Sequence, residues 1–211
     1  MLAQLEGAVI DGQVDEARQL TQEAVVAGIP PHVVFSQALF PAMSEVGRRM
    51  QAGDYFIPEV LVSAKAMKAA AEILIPLIAR TGESRSRGKV MMGTVKGDLH
   101  DIGKNLVKMM LEGAGFEVID LGIDVPTERF VAAVKETRPQ VLGLSAMLTT
   151  TMLQMPKVVR ALQEEGVRPL VRIMVGGAPL SQSFANEIGA DGFGMDSAAA
   201  VELVQRWVPA E

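Results

Sequence analysis

The sequence predicts a helical bundle followed by an α/β domain built on a doubly wound, five-stranded parallel sheet. Three observations predict it. Residues 1–80 carry helical periodicity only. From residue 89 onward, short apolar runs alternate with amphipathic stretches, as buried parallel strands and their crossover helices do. Between the two lies "RTGESRSRGK", residues 80–89, whose polar, glycine-containing composition reads as a linker. The expected boundaries are 1–80 for the bundle, 81–88 for the linker and 89–211 for the α/β domain.

Each element has its own signal. Leu2, Leu5, Val9 and Ile10 line one face of a first helix. Val14, Ala17, Leu20, Ala24 and Val25 line a second, which stops at Gly28. Pro30 and Pro31 open a third, "HVVFSQALFPAMSEVGRRMQA", with Gly53 closing it and Pro41 expected to kink it. "IPEVLVSAKAMKAAAEILIPLIA" is a fourth, with Pro58 tolerated in its first turn. Four helices with short connections predict a small bundle. The strands are expected at "KVMMGTV", "EVIDLG", "VLGLSAM", "RIMVGG" and "DGFGM". Helices are expected near 101–113, 126–137, 151–165, 181–188 and 197–207, with Asp196 as N-cap of the last. Five βα units predict a flavodoxin-like (Rossmann-like) sheet of order 2-1-3-4-5. Ligands of such sheets bind beyond the carboxyl ends of the strands, where the order reverses. Here that is between the first and third strands, at "KGDLHD" and "SAMLTTT".

Composition removes several function classes. Net charge is −5, which argues against a nucleic-acid partner. There is no cysteine, so disulfides, thiolate metal sites and thiol catalysis are excluded. Apolar residues make up 49% of the chain, enough for a sizeable core, and the 13 methionines read mainly as core filler. "MLAQLEGAVIDG" lacks the pattern of a signal peptide, and "EILIPLI" is too short to span a bilayer, so a cytoplasmic protein without membrane contact is expected.

One of the two histidines, His100, falls in the loop "GTVKGDLHDIGKNLV", at the expected ligand position. The loop is neither a GxGxxG fingerprint nor a phosphate-binding GxxxxGK[ST]. A phosphoacceptor receiver needs an Asp where this chain has Ser145, and GxSxG fails at Met147. A zinc site needs three or four ligands, and His32 lies in the other half. One histidine suffices when a macrocycle supplies the equatorial ligands. Asp98 would then take its second ring N–H. On local sequence alone, a loop histidine that caps or hydrogen-bonds locally is the simpler reading.

"GDLHDIG" contains DxHxxG, followed by "GLSAMLTTT" and "VGGAP". This series resembles the cobalamin-binding domain, and 41 residues separate Gly103 from Ser145, as in cobalamin-dependent methionine synthase. "GDYFIPEVLVSAKAMKAA" resembles the last helix of the cap in methyl-transferring corrinoid proteins. The whole chain resembles a stand-alone corrinoid protein of methyltransferase systems. The resemblance implies cobalamin as cofactor, cycling between cob(I)alamin and methylcobalamin, with His100 as lower cobalt ligand. It implies that His100 leaves and rejoins cobalt in each cycle. Asp98 would hold the free imidazole nitrogen, and Thr151 would complete the relay. Gly97, Leu99, Asp101, Ile102 and Gly103 would complete the loop at the cofactor. Ser145, Met147 and Thr149 would meet the displaced nucleotide tail, and Gly176 and Gly177 would leave room for it. Phe193 stands where many relatives carry Tyr, and Met147 where they carry Leu. Met50 and Ile57 match positions that shield the methyl group, and the linker would be the hinge of that cap.

The resemblance implies a carrier without catalysis of its own. Its partners would be a substrate-specific methyltransferase, an acceptor methyltransferase and a reductive activating protein. The alternative is an adenosylcobalamin-binding sensor. Such sensors usually attach a DNA-binding domain, for which this chain is expected to have no spare segment.

Overall fold

The computed structural model describes residues 1–81 and 86–209. They divide into two compact units, Met1–Ser86 with Gly113–Gly115, and Arg87–Glu112 with Phe116–Glu211. The linker expected at 81–88 falls in large part on residues 82–85, outside the described residues.

The first unit is helical: α1 (Leu2–Ile10), α2 (Val14–Val26), α3 (Pro31–Val34), α4 (Phe40–Ala52) and α5 (Ile57–Thr81). Gly12, with φ 69°, turns α1 into α2, and an added Cβ there would lie 2.5 Å from Val62 Cγ2. Only glycine fits both the conformation and the space. α2 runs along α5, and each buries alanines, Ala17 and Ala24 on one and Ala66 and Ala70 on the other. The last carbonyl of α1, that of Ile10, accepts from Ser63 Oγ at 2.7 Å and from the Tyr55 hydroxyl at 3.3 Å. These bonds satisfy a helix-end acceptor that the helix itself leaves open.

Pro41 acts differently from a simple kink. A π-helical turn, Phe35–Leu39, joins α3 to α4 without a break. Proline has no N–H to give the preceding turn. The helix widens just before it, and Phe40 N–H reaches back to the Phe35 carbonyl.

The second unit holds β1 (Lys89–Thr94), α6 (Ile102–Gly113), β2 (Glu117–Asp120), α7 (Thr127–Thr137), β3 (Val141–Ser145), α8 (Met155–Glu164), β4 (Arg172–Gly176), α9 (Gln182–Glu187), β5 (Gly192–Gly194) and α10 (Ser197–Trp207). Every strand pair is parallel, in the order β2-β1-β3-β4-β5. The doubly wound sheet expected from the sequence is therefore present. One face is packed by Met91, Leu142, Leu144, Ile173 and Val175 against Phe130 and Val134 of α7 and Met155, Val159 and Leu162 of α8. The intervening strand positions point the other way, because side chains alternate along a strand. There an added Cβ on Gly194 would strike Ala200 of α10, and Lys104 of α6 reaches Asp120 of β2. The helix leaving β1 thus lies on one face and the helix leaving β3 on the other. The two strands are neighbours, so the chain opens a crevice at their carboxyl ends.

Candidate cofactor site

The loop from Val95 to Asp101 leaves β1 at that crevice. Gly97, at φ 82°, supplies its turn, and its N–H donates to Asp124 Oδ1 at 2.7 Å. Asp124 N–H donates in return to the Asp98 carbonyl at 3.0 Å. Buried Thr94, the last residue of β1, donates its hydroxyl to the His100 carbonyl at 3.0 Å. The loop is therefore tied at Gly97 and Asp98 to the segment after β2, and at His100 to the end of β1.

Its centre is Asp98, which is fully buried. Oδ1 accepts from the His100 backbone N–H at 3.0 Å and faces His100 Nδ1 at 2.7 Å. Oδ2 accepts from the Met147 N–H at 2.8 Å and the Thr151 hydroxyl at 2.5 Å. Burial, the largest single influence, pushes the Asp98 pKa up. The Thr151 hydroxyl, the Met147 and His100 amides and the His100 ring outweigh it and hold the carboxyl below the usual carboxylate range. Asp98 is consequently an ionised, acceptor-only group.

That fixes the histidine. Facing a carboxylate that can only accept, Nδ1 must carry a proton, so in the neutral ring the lone pair lies on Nε2. The side chain is 56% exposed, so this lone pair is available at the crevice. Among the described residues, no three His, Cys, Asp or Glu side chains cluster as a metal site. The geometry therefore suits a metal that brings its equatorial ligands and takes one imidazole from the protein. Leu99, Met147, Leu148 and Met195, exposed on loops after β1, β3 and β5, give the rim an apolar character that matches a flat macrocycle.

The remaining site residues expected from the sequence are distributed as follows. Asp101 is half-buried, Ile102 is exposed, and Gly103 lies in the first turn of α6. Ser145 ends β3, half-buried, and Thr149 is exposed. Gly176 ends β4 opposite Ser145 in register, and an added Cβ there would meet nothing nearer than 3.5 Å. Gly177 is different: an added Cβ would lie 1.8 Å from the Ala146 carbonyl oxygen. Close approach of two backbones accounts for that glycine by itself. Phe193, in β5, packs on the core beneath α7 and α8. Met50, on the last turn of α4, is half-buried, and Ile57, at the start of α5, is exposed; both belong to the first unit. Thr94, Asp124, Lys104 and Asp120 were not anticipated as parts of the site. The available signal for Lys104 was its position seven residues before Leu111, on the buried stripe of α6.

Two models of a B12 binding domain match the chain, one over residues 88–204 and one over residues 1–75. A corrinoid protein of Desulfitobacterium hafniense is 41% identical over 208 residues, 98% of this chain and 96% of that protein. The trimethylamine corrinoid protein of Methanosarcina barkeri is 41% identical over 206 residues, 97% of this chain and 95% of that one. Among solved structures, the methanol:cobalamin methyltransferase complex of Methanosarcina barkeri contains a chain with a TM-score of 0.85 at 32% identity, covering 97% of this chain and 78% of that one.

Proposed function

Because this chain belongs to the B12-binding family of corrinoid proteins, with cobalamin as its cofactor, we propose that it is the methyl-carrying subunit of a multi-component methyltransferase system. The observation that carries the proposal is the buried Asp98 carboxylate. It takes His100 Nδ1–H on one oxygen and the Thr151 hydroxyl on the other, leaving Nε2 free.

Cobalamin, when bound, would supply a nucleophilic cobalt for methyl transfer. The residues of this chain do the rest. His100 Nε2 would hold the cobalt. Asp98 holds the proton on Nδ1 and, being ionised, makes the imidazole a stronger donor. Thr151, donating to the far oxygen, would complete a relay through which Asp98 could hold or release the Nδ1 proton. Ser145, Thr149 and Gly176 line the route for the nucleotide tail. Activation of the methyl donor belongs to partner proteins. Those partners are a methyltransferase specific for a small methylated compound, an acceptor methyltransferase and a reductive activating protein. The carrier role is supported by the relatives named for trimethylamine and by the likeness to a chain of a methanol:cobalamin methyltransferase complex. A low-valent cobalt centre needs reducing surroundings, so the proposed compartment is the cytoplasm. No described helix is long and apolar enough to cross a membrane.

The test is reconstitution of the apoprotein with hydroxocobalamin, followed by removal of free cofactor. The expected outcome is about one cobalamin retained per chain, and methyl transfer to it by a substrate-specific methyltransferase. A colourless protein overturns the proposal.

A further inference from the structure

Lys104 is the one buried cation among the described residues, with its side chain only 2% exposed. An unpaired ammonium there would be strongly destabilising. Its partner is Asp120 at the end of β2, whose two oxygens lie 2.7 and 2.9 Å from Lys104 Nζ. Asp120 is served by other donors as well, the Gly122 N–H at 2.9 Å and Lys108 Nζ at 3.4 Å. Charge balance alone would be met by this pair.

Lys104 makes one contact more. Its Nζ donates to Asn105 Oδ1 at 2.9 Å, and Asn105 Nδ2 donates to Asp101 Oδ2 at 2.9 Å. An ammonium can only donate, so the oxygen of the Asn105 amide must face it. The amide NH2 is thereby turned toward Asp101, a group that accepts. The direction of the whole relay, Asp120 to Lys104 to Asn105 to Asp101, is set by the buried charge. Asp101 follows His100 directly. The near side of His100 is held by Asp98 and Thr94, and the relay holds the far side, where the loop enters α6.

We propose that Lys104 and Asn105 are positioning residues for the His100 ligand loop, tethering its exit to the end of β2 so that Nε2 stays in ligating position. The inference rests on the reading of His100 as the cobalt ligand. His100 is more than half exposed, and the Asp98 carboxylate holds its ring at Nδ1 only, so the backbone on either side of the residue must set where Nε2 lies.

The experiment uses full-length protein loaded with hydroxocobalamin and reduced to cobalt(II). Electron paramagnetic resonance reads the splitting from an axial nitrogen. Asn105→Leu keeps the Lys104–Asp120 pair but cuts the link to Asp101. The double variant Lys104→Met/Asp120→Leu removes both buried charges together; Lys108, which also loses Asp120, is one-third exposed and can be solvated. Lys108→Met, which touches Asp120 but not Asn105, is the control. The expected result is that Asn105→Leu and the double variant retain cobalamin and a folded circular dichroism spectrum. Their ratio of nitrogen-ligated to unligated cobalt should fall about tenfold, as when a partner of a metal ligand is removed. Lys108→Met should match wild type. Should Asn105→Leu fail to fold, the double variant decides. A folded, cobalamin-loaded variant with the wild-type ratio overturns the relay. If wild type itself shows no splitting that His100→Ala removes, it is the ligand reading that fails, before the relay is tested.

Discussion

A carboxylate without solvent exposure must find its donors inside the protein, and Asp98 finds four. Hydrogen bonds to a charged group contribute about 1.5–3 kcal/mol each, enough together to keep it ionised against the cost of burial. Asp98→Asn replaces one accepting oxygen with a donating NH2. Turned toward Met147, that NH2 faces an amide N–H; turned toward His100, it opposes Nδ1–H. Either way a buried donor is orphaned, at about 1–3 kcal/mol. The expected outcome is a less stable protein whose His100–cobalt ligation is about 10–100-fold weaker, read from the nitrogen splitting of the cobalt(II) form. The pH dependence has a definite sign. A carboxyl held below its unfolded value, about 3.9, stabilises the fold at pH values above that range and loses this contribution as pH falls through its lower folded value. Asp98→Asn should therefore flatten the acid limb of a stability–pH profile measured by urea denaturation, with the larger deficit at neutral pH. Asp98, His100 and Thr151 were legible in the sequence through the resemblance of DxHxxG and the segment after Ser145. The anchors Thr94 and Asp124 were not, because a hydroxyl at a strand end and an acid in a loop look alike wherever they point.

At the scale of elements, the parallel strands were legible because they are buried on both faces and therefore nearly all apolar, and β1 is buried along five of its six residues. Strand β5 is only three residues long, and its glycines accommodate α10. Proline 41 signalled a disturbance, but whether a helix kinks or widens depends on tertiary packing. Lys104 was marked only by its place on the buried stripe of α6, and its partner was not marked at all. A lysine on an amphipathic helix reads as solvated, and its acid lies 16 residues away on a different element. The double glycine after β4 divides into two roles. Gly177→Ala would drive a Cβ into the Ala146 carbonyl at φ 136°, so we expect a loss of more than about 4 kcal/mol or no folded protein. Gly176→Ala meets only ordinary contact, so stability should change by less than about 1 kcal/mol. If that position borders the nucleotide tail, as we propose, Gly176→Ala should nonetheless retain less cobalamin after gel filtration.

For the whole molecule, residues 1–75 and 88–204 each match a B12 binding domain, so both units belong to the cobalamin protein. We propose that the helical unit shields the methyl-bearing face through Met50 and Ile57. Met50→Ala and Ile57→Ala should then speed photolysis of bound methylcobalamin relative to wild type. Unchanged photolysis, together with tight and light-responsive binding of adenosylcobalamin, would favour a sensor over a carrier. A change of rhythm, from helical periodicity to alternating short apolar runs, is the sequence signal on which the expected boundary rests. The proposed methyl carrier depends on one bond, from His100 Nε2 to cobalt. The most direct measurement is electron paramagnetic resonance of the cobalt(II) protein prepared with ordinary histidine and with histidine carrying nitrogen-15 in the ring, beside His100→Ala. With His100 as the ligand, the axial nitrogen triplet becomes a doublet on labelling and disappears in His100→Ala. A triplet that survives both changes would come from the cofactor's own base and would contradict it.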